Sequence, residues 1–219
     1  MNYYINEVFE TIQGEATFTG TPSIFIRLQG CPVGCSWCDT KHTWETNKED
    51  MVSINTVFAK DSDSSLFAET SSSDIFENIK HFNSRHVVIT GGEPCLYNLT
   101  DLTNYLINKG YSVQIETSGT HEVLCNDSTW VTVSPKVNMA GGFKILPSAM
   151  FRANEIKHPI GRQTDVTNLI ELIYKFNIQC PVWLQPLSQS KKATELCVKT
   201  ATDNGFKISI QTHKFIGVR

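Results

Sequence analysis

The stretch HVVITGGEPCL, His86 to Leu96, decides the architecture. Val87, Val88 and Ile89 form an apolar, β-branched run that reads as a buried strand. Thr90-Gly91-Gly92-Glu93-Pro94 then falls at the C-terminal end of that strand, where α/β folds place ligands. Two consecutive glycines let the backbone approach a ligand closely. On its own the turn is a weak signal, because any strand-to-helix connection could look like this.

The same grammar repeats outward along the chain. SIFIRL from Ser23, YSVQIETSG from Tyr111, WVTVSP from Trp130, CPVWLQPL from Cys180 and FKISIQTH from Phe206 are short apolar runs bounded by Gly, Pro or Ser. Amphipathic stretches lie between them. LTDLTNYLINKG puts Leu99, Leu102, Leu106 and Ile107 on one helical face, with Gly110 as the stop. DVTNLIELIYKF and KKATELCVKTATDNG behave alike. Strand-then-helix alternation predicts an α/β fold with a mainly parallel sheet. The rhythm breaks between Glu45 and about Ser73, where KDSDSSLFAETSSSD is rich in Ser, Asp and Thr. It reads as an insertion, mostly solvated linker with room for a short helix.

A chain of 219 residues fits one domain, 1–219, carrying that insertion at about 45–73. Hydrophobic content of 40% against 19% charged residues is globular, and long enough to bury a sizeable core. Nineteen Lys and Arg against 22 Asp and Glu leave a net charge of −3, so no nucleic-acid or membrane-binding surface is expected. The N-terminus MNYYINEVFETIQGE lacks the basic-then-apolar layout of a secretory leader, and no apolar run approaches the ~20 residues of a membrane span. The expected location is the cytoplasm.

Seven cysteines are present, three of them in QGCPVGCSWCDTKH from Gln29: Cys31, Cys35 and Cys38. In a reducing compartment such crowding points to metal ligands rather than disulfides. Thiolates hold zinc or iron–sulfur clusters. Three ligands leave one iron of a four-iron cubane open to a small molecule. Alternatively, His42 could complete a Cys3His zinc tetrahedron. Pro32 and Gly34 allow a tight loop around a bulky centre, and Trp37 could shield it from water. Cys95, Cys125, Cys180 and Cys197 lie far apart and read as small hydrophobes.

The spacing C-x3-C-x2-C, the aromatic residue before the third cysteine and the Gly91-Gly92-Glu93-Pro94 turn together resemble the radical S-adenosylmethionine enzymes. That resemblance implies a 4Fe–4S cluster on Cys31, Cys35 and Cys38. S-adenosylmethionine chelates the open iron, and its reductive cleavage yields a 5′-deoxyadenosyl radical that abstracts a substrate hydrogen. The fold implied is an incomplete, modified TIM-type (βα) barrel with its active face at the strand C-termini. Within that group, TIQGE, SIFIRLQG, QIETSGTHEV, VTVSPK, NEIKHPIG, LQPLSQ and QTHK resemble the 7-carboxy-7-deazaguanine synthase family. The likeness covers most of the chain outside about Thr46 to Ser84. It implies a lyase that converts 6-carboxy-5,6,7,8-tetrahydropterin to 7-carboxy-7-deazaguanine with loss of ammonia, on the route to queuosine. It also implies Mg2+, a homodimer and a low-potential electron donor such as flavodoxin.

The resemblance assigns roles residue by residue. Ile12, Gln13 and Gly14 line the pterin, Glu15 faces its amino edge, and Thr90 and His213 are further substrate contacts. Arg27 suits the substrate carboxylate, since a guanidinium makes bidentate pairs and an unpaired charge within SIFIRLQG would be costly. Thr40 would hold Mg2+, an ion that commonly keeps waters and substrate oxygens as its other ligands. Gly92, Glu116, Ser134, Pro135, Lys136 and Gln185 fall to S-adenosylmethionine. For each of these, ordinary loop capping is the competing explanation.

Two departures stand out. Position 16 is Ala where the pattern has Gly, which would be strained at a positive φ. The tail HKFIGVR lacks the terminal proline that contacts substrate in some relatives, so that contact is not carried over. A glycyl-radical-enzyme activating protein shares the cysteine spacing, but TIQGE and Arg27 suit a small carboxylated heterocycle better. A Cys3His zinc module would want a basic or aromatic surface near the thiols.

Overall fold

The computed structural model describes residues 1–218; Arg219, the last residue of the expected domain, lies outside them. In chain order the elements are β1 (Asn2–Ile12), β2 (Pro22–Leu28), α1 (Ile54–Phe58), β3 (Ala68–Ser71), α2 (Ser72–Ile79), β4 (His86–Gly91), α3 (Thr100–Asn108) and β5 (Ser112–Thr117). There follow β6 (Trp130–Val133), α4 (Pro147–Arg152), β7 (Glu155–Ile160), α5 (Gln163–Phe176), β8 (Val182–Pro186), α6 (Lys191–Asn204), β9 (Lys207–Ile208) and α7 (Thr212–Ile216). One sheet of nine strands runs in the order β3-β1-β2-β4-β5-β6-β7-β8-β9. From β2 to β9 neighbouring strands are parallel, whereas β1 is antiparallel to both β2 and β3. The first and last strands do not pair, so the sheet is an open, partial (βα) barrel, as expected.

Two apolar layers lie between sheet and helices. Ile24, Ile26, Val87 and Ile89 pack with Leu99, Leu102 and Leu106 of the α3 region, all at 0–1% exposure. Farther along, Ile156, Ile160 and Leu184 pack with Leu169 of α5 and Cys197 of α6. The helix stops behave as their residues dictate: Gly110 and Gly205 take φ of +86° and +71°. The inward positions are polar instead. Glu116 of β5, Thr132 of β6 and Glu155 of β7 stand side by side through the strand registers, with Gln114 and Lys157 two positions along on the same faces of β5 and β7.

Three expectations change. The 45–73 segment is not a solvated linker: α1 packs on β1, Phe67 is fully buried, and β3 adds an edge strand to β1. Two strands, β1 and β7, were not legible as apolar runs. The run at Phe206 contributes only the two residues of β9. Among the described residues no helix is long and apolar enough to cross a membrane.

Candidate active site

A cavity of about 460 Å³ opens at the C-terminal ends of the parallel strands. Cys31, Cys35 and Cys38 line it on the loop after β2, and Gly91, Gly92 and Glu93 line it after β4. The two loops are locked together. Gly92 N–H donates to Leu28 O and Glu93 N–H to Gly30 O, both at 2.8 Å. A Cβ on Gly91, at φ +107°, would sit 2.4 Å from Leu28 N, and one on Gly92 would sit 2.1 Å from Gly30 O. Both glycines are therefore required by the backbone pressed against them. Glu93 ties this corner to the next strand: its carboxylate accepts from Cys95 N–H (2.9 Å), Thr117 Oγ1–H (2.6 Å) and Ser118 N–H (2.8 Å).

The three thiols suit a polynuclear centre. Burial first, then the neighbouring Glu93, Cys35 and Cys38, push the Cys31 thiol up to about 11, and burial raises Cys35 too. Thiolates crowded this way call for a cation among them. Among the described residues, the group of three possible ligands whose donor atoms all lie within 4.8 Å of one another is Glu7, His42 and Asp63. The cysteine sulfurs do not meet that limit. One zinc ion with Zn–S bonds of ~2.3 Å would draw them to roughly 3.8 Å apart. His42 also turns away, with Nδ1 at 3.9 Å from Asp63. With His42 turned towards Asp63, the Cys3His zinc alternative loses its fourth ligand and is not favoured. Trp37, 37% exposed, lines the cavity mouth beside the thiols.

Arg27 and Thr90 are register partners on β2 and β4, and both line the cavity, as does Ile12. Arg27 Nε pairs with Glu7 Oε1 at 2.9 Å, and its guanidinium lies over Phe9. A guanidinium held through Nε has its two terminal nitrogens left as a fork for a carboxylate. Thr40 Oγ1 donates to Gly91 O at 3.2 Å, and its N–H points at Cys38 Sγ, 3.4 Å away. It therefore joins the cysteine loop to the glycine turn.

The opposite wall is a buried charge network centred on Lys157, a residue that sequence reasoning missed. Its Nζ donates to Glu15 Oε2 and, at 2.7 Å, to Glu116 Oε2. Gln13 donates to Glu116 Oε1 (3.0 Å), and Gln211 (2.8 Å) and Gln185 (3.3 Å) donate to Glu15 Oε1. Burial alone would lower Lys157 and raise Glu15. The facing carboxylates instead hold Lys157 above its usual value, and Lys157 holds Glu15 down at about 2. Both stay charged at neutral pH. The signal was available: Lys157 sits in EIKHPI between Ile156 and Ile160, where a buried charge needs a partner, the same argument applied to Arg27.

His213 lines the cavity from α7, with burial lowering its pKa. Gly14 sits directly behind it, and a Cβ there would meet His213 Nδ1 at 2.1 Å. Ser134 and Lys136 line the main cavity, with Lys136 Nζ 2.5 Å from Ser134 Oγ; burial lowers the lysine pKa and Cys35 opposes it. Pro135 instead lines an adjoining cavity of about 350 Å³ that shares Trp37, Pro159 and Leu187 with the first. Ala16 does adopt a positive φ, +53°, and is buried.

An open (βα) sheet with three thiols at its C-terminal rim, locked to a Gly-Gly-Glu turn, defines a class. A radical SAM superfamily model matches residues 25–135, and the chain belongs to that superfamily. The 7-carboxy-7-deazaguanine synthase of Escherichia coli strain K12 is 52% identical over 100% of both chains. That of Buchnera aphidicola subsp. Schizaphis graminum is 44% identical, again over 100% of both. The crystal structure of QueE from Escherichia coli superimposes with a TM-score of 0.93 at 52% identity, covering 96% of this chain and 94% of that one. The chain belongs to the 7-carboxy-7-deazaguanine synthase family.

Proposed function

We propose that the chain converts 6-carboxy-5,6,7,8-tetrahydropterin to 7-carboxy-7-deazaguanine with loss of ammonia. The observation that carries this reading is the polarity of the cavity. A cation, Arg27, stands at one wall, and two carboxylates sharing one ammonium stand at the other. A carboxylated pterin has matching ends: an anion, and a donor edge of N–H and amino groups. Arg27 takes the carboxylate through its terminal nitrogens. Glu15 and Glu116, fixed by Lys157 and the surrounding glutamines, accept from the donor edge. Gln13 and the backbone of Ile12 and Gly14 extend that wall, with Thr90 and His213 completing it.

Cys31, Cys35 and Cys38 would hold the 4Fe–4S cluster. Gly92, Ser134, Pro135 and Lys136 would hold S-adenosylmethionine. Glu116 and Gln185, assigned to the cofactor by resemblance, share the Lys157 network with Glu15 and are open to both ligands. When bound, cluster and cofactor supply one-electron chemistry that removes a hydrogen atom from the substrate. The chain itself orients the pterin between its two charged walls. Thr40, joined to Cys38 and Gly91, would offer its hydroxyl to a Mg2+ that also takes substrate oxygens and waters. A low-potential donor such as flavodoxin would deliver the electron, and the family points to a homodimer.

The test is anaerobic turnover of the reconstituted enzyme with S-adenosylmethionine, a reductant and the carboxypterin, read by mass spectrometry. The deazaguanine product with equimolar ammonia supports the reading. Deoxyadenosine release without ring contraction refutes the substrate.

A further inference from the structure

The inserted segment meets the supports of the cysteine loop at Asp63, which lies 3.9 Å from His42, and around the ammonium of Lys60. The bulge in β1 falls at Asn6, since Ile5 pairs with Leu28 and Glu7 with Arg27, leaving Asn6 as the extra residue. Lys60, just after α1, fills the space beside it. Its three Nζ–H groups are shared among four acceptors: Asn6 O (2.9 Å), Asn6 Oδ1 (3.0 Å), Ser64 O (3.1 Å) and Leu66 O (3.2 Å). Asn6 Nδ2 in turn donates to Gln29 Oε1 at 2.7 Å, and to Ser64 O and Leu66 O. Gln29, fully buried, spends its own amide on the far leg of the cysteine loop: Nε2 donates to Glu45 O at 2.5 Å and His42 O at 3.3 Å. That leg is where Thr43 Oγ1 donates to Thr40 O and where Thr43 O and Trp44 O accept from Gly30 N–H and Cys31 N–H.

From these contacts we infer that Lys60 is a positioning residue: the insertion braces the return leg of the cysteine loop, and with it Thr40, through Asn6 and Gln29. The chemistry is directional. The lysine ammonium satisfies the Asn6 carbonyl groups, which fixes the Asn6 amide as a donor. That donor fixes Gln29 in the one amide orientation whose N–H2 faces the loop carbonyls. Without the ammonium, Asn6 O, Asn6 Oδ1, Ser64 O and Leu66 O lose the donor that gathers them, so the 60–66 turn loosens from the bulge and the hold of Asn6 on Gln29 weakens with it. The catalytic consequence rests on the proposed Mg2+ role of Thr40; the mechanical one does not.

The experiment compares Lys60→Met with the unmodified chain, reconstituted without oxygen, in two readouts. Amide hydrogen exchange is followed by mass spectrometry over residues 29–45, with strand 86–91 as the reference for global stability. We expect exchange at Gly30 and Cys31 to rise at least tenfold while 86–91 is unchanged. The Mg2+ concentration for half-maximal turnover should rise at least fivefold, with the ultraviolet–visible spectrum of the cluster preserved. Unchanged protection at 29–45, or a loss of protection equal in both regions, overturns the brace. Faster exchange with an unchanged Mg2+ requirement overturns its positioning of Thr40. If the unmodified enzyme needs no Mg2+, the reading of Thr40 fails and the exchange result still judges the brace. Should Lys60→Met fail to fold, Gln29→Glu serves in its place, because it keeps the acceptor for Asn6 and removes the donor to the loop.

Discussion

Replacing Lys157 by Met would test whether the charge network holds the substrate wall together. The lysine is 5% exposed, and the side chains of Glu15 and Glu116 are 13% and 17% exposed. Removing one partner of a buried pair leaves uncompensated charge and costs about 3–5 kcal/mol. Gln13, Gln185 and Gln211 still solvate the two carboxylates, so the lower end, about 3 kcal/mol, is expected. For a chain of this size that corresponds to a fall in Tm of roughly 6–12 °C. The pH dependence gives the claim its edge. In the unmodified chain Glu15 is held at about 2 against an ordinary 4.5, so its stabilisation is complete above pH 4.5 and fades as pH drops from there towards 2. Lys157 is raised above 10.5, so its share is complete below pH 10.5 and fades only at higher pH. In the variant, the two facing carboxylates favour holding a proton, and their deficit is largest at neutral pH and shrinks as pH falls towards 4.5. The assay is thermal unfolding of both proteins by circular dichroism at pH 7.5 and pH 5. A Tm deficit under 2 °C at pH 7.5, or one just as large at pH 5, would refute the reasoning. Adding Glu116→Gln to the variant should restore more than half of the loss.

Three other perturbations have defined outcomes. Gly92→Ala places a methyl 2.1 Å from Gly30 O and must move the cysteine loop; iron content after reconstitution should drop below half of the parent's, and an unchanged content would mean the loops are not locked. Ala16→Gly relieves a positive φ of +53° at a buried site and should be neutral or stabilising by up to about 1 kcal/mol, whereas Ala16→Val should lose stability in the same urea titration. Arg27→Lys keeps the charge but loses the fork and the Nε pair with Glu7, so KM for the carboxypterin should rise roughly tenfold to a hundredfold with kcat less affected; steady-state kinetics with KM unchanged would remove Arg27 from the carboxylate site.

How far the sequence could be read depended on which side of the sheet a residue faced. β2, β4, β5, β6 and β8 announce themselves because their outward positions bury Val, Ile and Leu against helices. β1 and β7 did not, because their polar residues are themselves buried: Asn6, Glu7 and Gln13 in and after the first, Glu155, Lys157 and His158 in the second. A run such as EIKHPI looks like surface until β5, two strands away across the barrel interior, supplies Glu116 for its lysine. The cysteine loop and the glycine turn were legible because their chemistry is local in sequence. The Lys157 network joins Gln13, Glu15, Glu116, Gln185 and Gln211, and only the barrel brings these together. The insertion read as linker because its composition is polar. Its order comes from Phe67, Lys60 and the free edge of β1, none of which a local window connects.

Spectroscopy of the iron itself tests most directly whether the three thiols leave one metal corner open. Mössbauer spectra of 57Fe-reconstituted enzyme should show four irons per chain, with one of them set apart from the other three once S-adenosylmethionine is added. Four irons that remain alike with the cofactor present, or a chain that assembles no four-iron cluster, would contradict the account.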